Sequence, residues 1–169
     1  MLIRKKYFFL AFLIAFFDQV LKNIVTKNWA LGEGQTITSF FDLVRVHNTG
    51  AAFSLLAQAG GWQRFFFLIL TFIASLILIA GIRQKQKSSF YRWSLAAILG
   101  GAWGNGWDRL VQGYVVDFLQ FHWAFLEPLF IGGYFPCFNL ADIAISGGVM
   151  GIIAIEIWGS RPSSVSSIS

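Results

Sequence analysis

Four apolar stretches constrain this chain more than anything else in it. They cover residues 7–25, 62–82, 93–110 and 138–158, each close to the roughly 20 residues a helix needs to cross a bilayer. Within the second, the stretch FFFLILTFIASLILIAGI carries no charge. The other three hold charged residues within the run, and because polar groups in hydrocarbon are costly, those positions are where function is expected. Charged residues make up only 12% of the 169 and hydrophobic ones 56%, against about 25% charged in a soluble domain. This excludes a disordered chain and argues against a soluble enzyme. The lone Cys137 excludes an internal disulfide and a thiolate-cluster zinc site. The expected fold is an all-α integral membrane protein: four transmembrane helices and a small extracytoplasmic β-sheet platform with its loop. Residues 1–159 are expected to form one domain, and the Ser-rich residues 160–169 a disordered cytoplasmic tail.

The net charge of +5 reflects topology better than nucleic-acid binding. Arg4, Lys5 and Lys6 precede the first run; Arg83, Lys85, Lys87 and Arg92 crowd the link between the second and third; Arg161 follows the fourth. Residues 111–137 contain no Lys or Arg, and residues 26–61 only Lys27 and Arg45. The positive-inside rule then puts both termini in the cytoplasm and both long links outside. The N-terminal run lacks a small-x-small cleavage site and continues into Asp18-Gln19-Val20-Leu21-Lys22, so it reads as an uncleaved anchor. Residues 35–47, 114–121 and 134–138 are rich in β-branched and aromatic residues and are expected to form short strands on the outer surface.

Topology turns sequence position into depth. At 1.5 Å per residue, Asp18 lies about 16 Å along the outward first run and Asp108 about 22 Å along the outward third. Asp142 falls about one turn into the inward fourth run, and Asp117 just beyond the third. Four aspartates therefore converge on one level. Asp18 has Lys22 one turn away, and Asp108 has Arg109 beside it. Asp117, in Val-Val-Asp-Phe, and Asp142, in Asn-Leu-Ala-Asp-Ile, have no basic neighbour. Two unpaired carboxylates brought together share a proton, one held up and the other ionised. That is the arrangement with which aspartic proteases activate water and polarise a carbonyl. Taken singly, Asp142 reads better as a helix cap and Asp117 as a solvated loop residue; it is the convergence that turns the balance toward an acid pair.

Asp18-Gln-Val-Leu-Lys22, Asn48-Thr-Gly-Ala-Ala-Phe53, Gly104-Asn-Gly-Trp-Asp-Arg109, Val115-Val-Asp-Phe118 and Phe138-Asn-Leu-Ala-Asp142 occur in this order. Together they closely resemble bacterial lipoprotein signal peptidase (signal peptidase II). The resemblance implies an intramembrane aspartic endopeptidase of the bacterial inner membrane with Asp117 and Asp142 as its dyad. It implies removal of the signal peptide from diacylglyceryl-modified prolipoproteins, just before the lipidated cysteine, and inhibition by globomycin. It assigns Asn48, Gly50, Asn105, Arg109 and Asn139 to lining or bracing the site, with Asp18, Lys22 and Asp108 as supports. Arg109 either holds a substrate carbonyl or lipid ester or only neutralises Asp108. Residues 121–133 look long for the family, which bears on loop shape.

Other features have plainer readings. Gly100 and Gly104, and Gly147 and Gly151, are spaced for close helix packing. Trp29, Trp62, Trp93, Trp123 and Trp158 sit near the ends of runs, as interfacial anchors do. His47 and His122 make a poor metal site, Ser54 has no base nearby for a Ser–Lys mechanism, and Cys137 suits an apolar filler. No cofactor, metal or nucleic-acid partner is expected; the partners are the prolipoprotein and membrane lipids, and the chain is expected to act as a monomer. A proton-coupled transporter would need polar residues through the bilayer depth, and the inner halves here are apolar. A structural adaptor would leave Asp117 and Asp142 unexplained.

Overall fold

The computed structural model describes residues 2–50 and 61–159. Four long helices form: α1 Leu2–Asn28, α2 Gln63–Arg83, α3 Ser89–Val111 and α4 Leu140–Gly159. Between α1 and α2 lie strands β1 Gly34–Thr38 and β2 Phe41–Asn48; β3 Val115–Phe121 follows α3. The strands make one antiparallel sheet in the order β1-β2-β3. The expected strand over 35–47 is thus a hairpin. The expected strand over 134–138 pairs only at isolated points, Leu119 with Phe138 and His122 with Tyr134. Pro136 lies between those points and has no N–H to extend a ladder. The expected tail over 160–169 and Ser54 lie outside the described residues.

Among the described residues, three helices are long and apolar enough to cross a membrane: Arg4–Asn28, Gln63–Arg83 and Leu140–Trp158. The fourth of the expected spans, α3, has the length at 23 residues but not the apolarity. The reason is its position: α3 packs against α1, α2 and α4, and its buried residues include Ser94, Asn105, Asp108 and Arg109. A helix wrapped by its neighbours need not be apolar all round. The outer helices show the converse. Phe9, Phe12 and Phe16 of α1, Phe65 and Phe72 of α2, and Met150 and Ile157 of α4 are exposed, an apolar surface too large for water contact.

Local chemistry sets the element boundaries. The Ser88 side chain accepts from Tyr91 N and starts α3, as an N-cap should. At the other end Gly113, with φ +87°, donates to the Asp108 carbonyl and turns the chain back into β3; a left-handed C-terminal cap favours glycine. Arg45 of β2 donates to the carbonyls of Thr26 and Trp29 at the end of α1, tying the sheet to the helix end. Tyr7, Ala11, Leu78, Ile82, Leu95 and Leu99 form the core at the basic end of the bundle, and Val25, Val116 and Phe118 form a second core under the sheet.

Glycines let α3 approach its neighbours. A Cβ at Gly100 would strike Ala11 and Ile14 of α1, and one at Gly101 would strike the Ala141 carbonyl and Ile145 of α4. On α4 the close contacts belong to Gly148 and Gly151, both against Ser94. Gly147, expected to pack with Gly151, meets nothing within 4 Å; neighbouring residues point about 100° apart on a helix, so Gly148 faces α3 instead. Gly101→Val is expected to force α3 from α4 and cost about 1–3 kcal/mol. A lowered midpoint of thermal unfolding in detergent checks this.

Candidate active site

The start of α4 builds one half of the site. Asn139 caps the helix: its Oδ1 accepts from Asp142 N at 3.0 Å, and Asp142 Oδ2 accepts from Asn139 N at 3.1 Å. This reciprocal pair satisfies two backbone donors that a helix start leaves open. Asp142 is therefore a cap, but not only a cap. Its Oδ1 accepts from Asn105 Nδ2 of α3 at 2.8 Å.

Asp117 comes from β3 and is 2% exposed. Its Oδ1 accepts from Asn139 Nδ2 at 2.6 Å and its Oδ2 from Asn48 Nδ2, at the end of β2, at 3.0 Å. Asn139 thus joins the two carboxylates, through its side-chain amide to Asp117 and its backbone to Asp142. Burial, and then the neighbouring Asp142 carboxylate, push Asp117 up to about 7. The hydrogen bonds from Asn48 and Asn139 and the charge of Lys22 pull the other way and are outweighed.

Behind the pair lies a buried ionic cluster. Lys22 Nζ makes three contacts at 2.8 Å, to Asp18 Oδ2, Asp108 Oδ2 and Asn105 Oδ1. An ammonium has three donors, so all are used. Lys22, Asp18 and Asp108 are each at most 2% exposed. Asp18 Oδ1 also accepts from Ala141 N at 3.0 Å, holding α4 from α1. Asp108 Oδ2 accepts from Val116 N at 3.1 Å, holding the start of β3. The cluster therefore braces both elements that carry the acid pair.

The partner of Asp108 is Lys22, which corrects the alternative in which Arg109 neutralises it. Consecutive helical residues do not face each other. Arg109 instead donates to the carbonyls of Gly50 at 2.6 Å and Asn105 at 3.4 Å, and its guanidinium lies 4.6 Å from the centre of the Phe67 ring. Gly50 N in turn donates to Asn48 Oδ1 at 3.0 Å, which aims the Asn48 amide at Asp117. All ten positions expected at the site converge here. One was missed: Gln19 donates to Asp108 Oδ1 at 2.8 Å and to the Gly104 carbonyl at 3.1 Å. An amide inside an apolar run was the available signal.

Asp117, Asp142, Asn48, Asn105 and Arg109 line one end of a cavity of about 680 Å³. Its other walls are mostly apolar: Phe135, Pro136 and Phe138 from the loop before α4, and Ile143, Ile145 and Met150 along α4, with Ser146 among them. Cys137 also lines it. Burial, then the nearby Asp117 carboxylate, push the thiol well above its usual range, which keeps it protonated and unsuited to nucleophilic attack. The histidines are engaged elsewhere: His47 stacks on Tyr114 at 3.8 Å, and His122 lies 3.3 Å from Asp42.

Fold and site together define a helical membrane protein in which an apolar cavity ends on a braced pair of carboxylates. Comparison with known proteins narrows this. The family model described as signal peptidase (SPase) II matches residues 10–158. The lipoprotein signal peptidase of Burkholderia ambifaria (strain MC40-6) is 43% identical over 149 residues, covering 88% of this chain and 85% of its own length. That of Ralstonia nicotianae is 45% identical over 140 residues, 83% of this chain and 77% of its own. A bacterial membrane enzyme solved by the in meso method at 2.3 Å resolution superposes with a TM-score of 0.80 at 29% identity, covering 98% of this chain and 95% of that one. The chain belongs to the signal peptidase II family, and with that membership it is a peptidase.

Proposed function

We propose that this chain is an intramembrane aspartic endopeptidase that removes the signal peptide from diacylglyceryl-modified prolipoproteins, cutting just before the lipidated cysteine. The observation that carries the reading is the joining of Asp117 and Asp142 through Asn139 at the end of an apolar cavity. Water enters between the two carboxyl groups. The ionised one takes a proton from water as its oxygen attacks the scissile carbonyl, and the protonated one donates to the carbonyl oxygen. With Asp117 held near 7, the proton rests on Asp117 at and below neutral pH, and Asp142 acts as the base. Asn48, Asn105 and Asn139 hold the two carboxylates, and Arg109 through Gly50 braces Asn48. Asp18, Lys22 and Asp108 keep β3 and α4 in register.

In this reading all four helices span the bilayer, both termini are cytoplasmic, and the site lies near the extracytoplasmic face. The basic residues at the far end from the sheet favour that orientation. A largely buried α3 can cross with only a narrow apolar surface of its own, at Phe90, Trp107, Leu110 and Val111, and the lipid chains of the substrate stay in the bilayer beside the cavity.

The test is cleavage of a diacylated prolipoprotein by purified protein, with an unlipidated control, the cut located by mass spectrometry. The expected product begins at the lipidated cysteine, and the control remains uncut. A cut elsewhere, or equal cutting of both, rejects the reading. Cleavage should also fall as pH rises through about 7, because Asp117 then loses the proton it must donate. A pH–rate profile flat from 6 to about 9 would contradict the role given to Asp117.

A further inference from the structure

A glycine within a helix costs about 0.5–1 kcal/mol relative to alanine, so one needs a reason. On α4, Gly148 and Gly151 have one: a Cβ at either would strike Ser94. Gly147 has none of that kind. It has ordinary helical backbone, is exposed, and a Cβ there would meet nothing within 4 Å. Yet it lines the cavity that ends on the acid pair. Ile143 stands one turn toward Asp142 and Met150 one turn beyond, both lining the same cavity. Residues at i, i+4 and i+7 share a helical face. The wall therefore reads bulky, empty, bulky, with a notch about 7.5 Å along the helix from Asp142.

We infer that Gly147 is a specificity-determining residue: the gap it leaves between Ile143 and Met150 receives a bulky apolar group of the substrate. The inference rests on the peptidase reading above and adds where substrate size is measured. The group that fills the notch is either a signal-peptide side chain or a stretch of acyl chain. An extended peptide rising about 3.3 Å per residue reaches that distance two to three residues before the cut. An acyl chain lying along α4 passes the same point. Both present branched or linear hydrocarbon.

The experiment uses full-length protein and a matrix of diacylated prolipoprotein peptides. One arm places Ala, Val, Leu or Phe two or three residues before the cut; the other varies acyl length from eight to sixteen carbons. Gly147→Leu fills the notch, and Gly147→Ala fills it in part. Gly147→Leu is expected to lower kcat/KM at least tenfold for the bulky members of one arm and to leave its small members within twofold of wild type. Gly147→Ala should fall between. The arm in which discrimination appears identifies the occupant. If Gly147→Leu folds poorly, Gly147→Ala and the enlarging change Met150→Ala decide: the first shifts preference toward smaller groups, the second toward larger. Unchanged relative rates across both arms, or a uniform loss at an unchanged unfolding temperature, would overturn the inference while leaving the peptidase reading intact. Failure of the wild type to cut any member would instead overturn the peptidase reading, and this inference with it.

Discussion

Asp117→Asn and Asp142→Asn are each expected to lower cleavage by at least about a hundredfold and up to about 10⁴, the range a general acid or base contributes. They do so with opposite effects on stability, which separates chemistry from folding. Asn at 142 keeps the carbonyl that accepts from one donor, but its amide then opposes either Asn105 Nδ2 or Asn139 N, both donors. Losing one arm of the capping pair costs about 1 kcal/mol. At 117 the balance reverses. Asp117 is held near 7 against an ordinary 3.8, so the fold disfavours its charge. As pH rises from about 4 to about 7, the wild type loses stability on this account, by about 1.4 kcal/mol per pH step of one across that window. A neutral amide removes that cost and gives up one of the two hydrogen bonds from Asn48 and Asn139, worth about 1–2 kcal/mol. Asp117→Asn is thus expected to be the more stable protein above pH 7, by about 2 kcal/mol, and the less stable below pH 4, by about 1–2 kcal/mol, where only the lost hydrogen bond counts. Thermal unfolding in detergent at pH 4 and pH 8, beside the cleavage assay, checks both halves. An inactive variant that unfolds no sooner than the parent marks a residue kept for chemistry at the expense of stability. Retained cleavage in both variants would end the aspartic reading.

Depth was legible in the sequence and azimuth was not. A helix advances 1.5 Å per residue whatever it packs against, so Asp18, Asp108, Asp117 and Asp142 could be put on one level from the ends of the apolar runs alone. Which way each side chain points depends on the neighbour it meets. That is why Asp108 looked like the partner of adjacent Arg109 and is in fact bound by Lys22 from another helix. It is also why Gly147 looked like a packing glycine when its neighbour Gly148 has that role. The apolarity of a run likewise reports lipid exposure. The sequence reads four spans, and α1, α2 and α4 meet the length and apolarity of one; α3, read as the third span at 93–110, falls short in apolarity because it packs against the other three helices. The double role of Asp142, cap and cavity wall, was open to sequence reading as two alternatives; the side chain has two oxygens and uses one for each.

Lys22→Met should be strongly destabilising. It leaves Asp18 and Asp108, at 0% and 2% exposure, without their shared cation. Removing one partner of a buried ion pair costs about 3–5 kcal/mol. The same principle predicts the rescue. In Asp18→Asn/Lys22→Met/Asp108→Asn no charge remains to be compensated, and both amides keep an oxygen to accept from Ala141 N and Val116 N. The triple variant should regain most of the lost stability, read as the thermal midpoint in detergent. Cleavage should not return with it. Lys22 also donates to Asn105 Oδ1, and that bond fixes which face of the amide meets Asp142. With a methionine at 22, only Asn139 Nδ2 still holds that oxygen, and the Asn105 amide gains a second orientation in which its oxygen opposes the Asp142 carboxylate. A triple variant as unstable as Lys22→Met would refute the charge argument. A triple variant that is stable and cuts at the wild-type rate would show that Asn105 needs no hold from α1, and would confine Lys22 to joining α1 to α3.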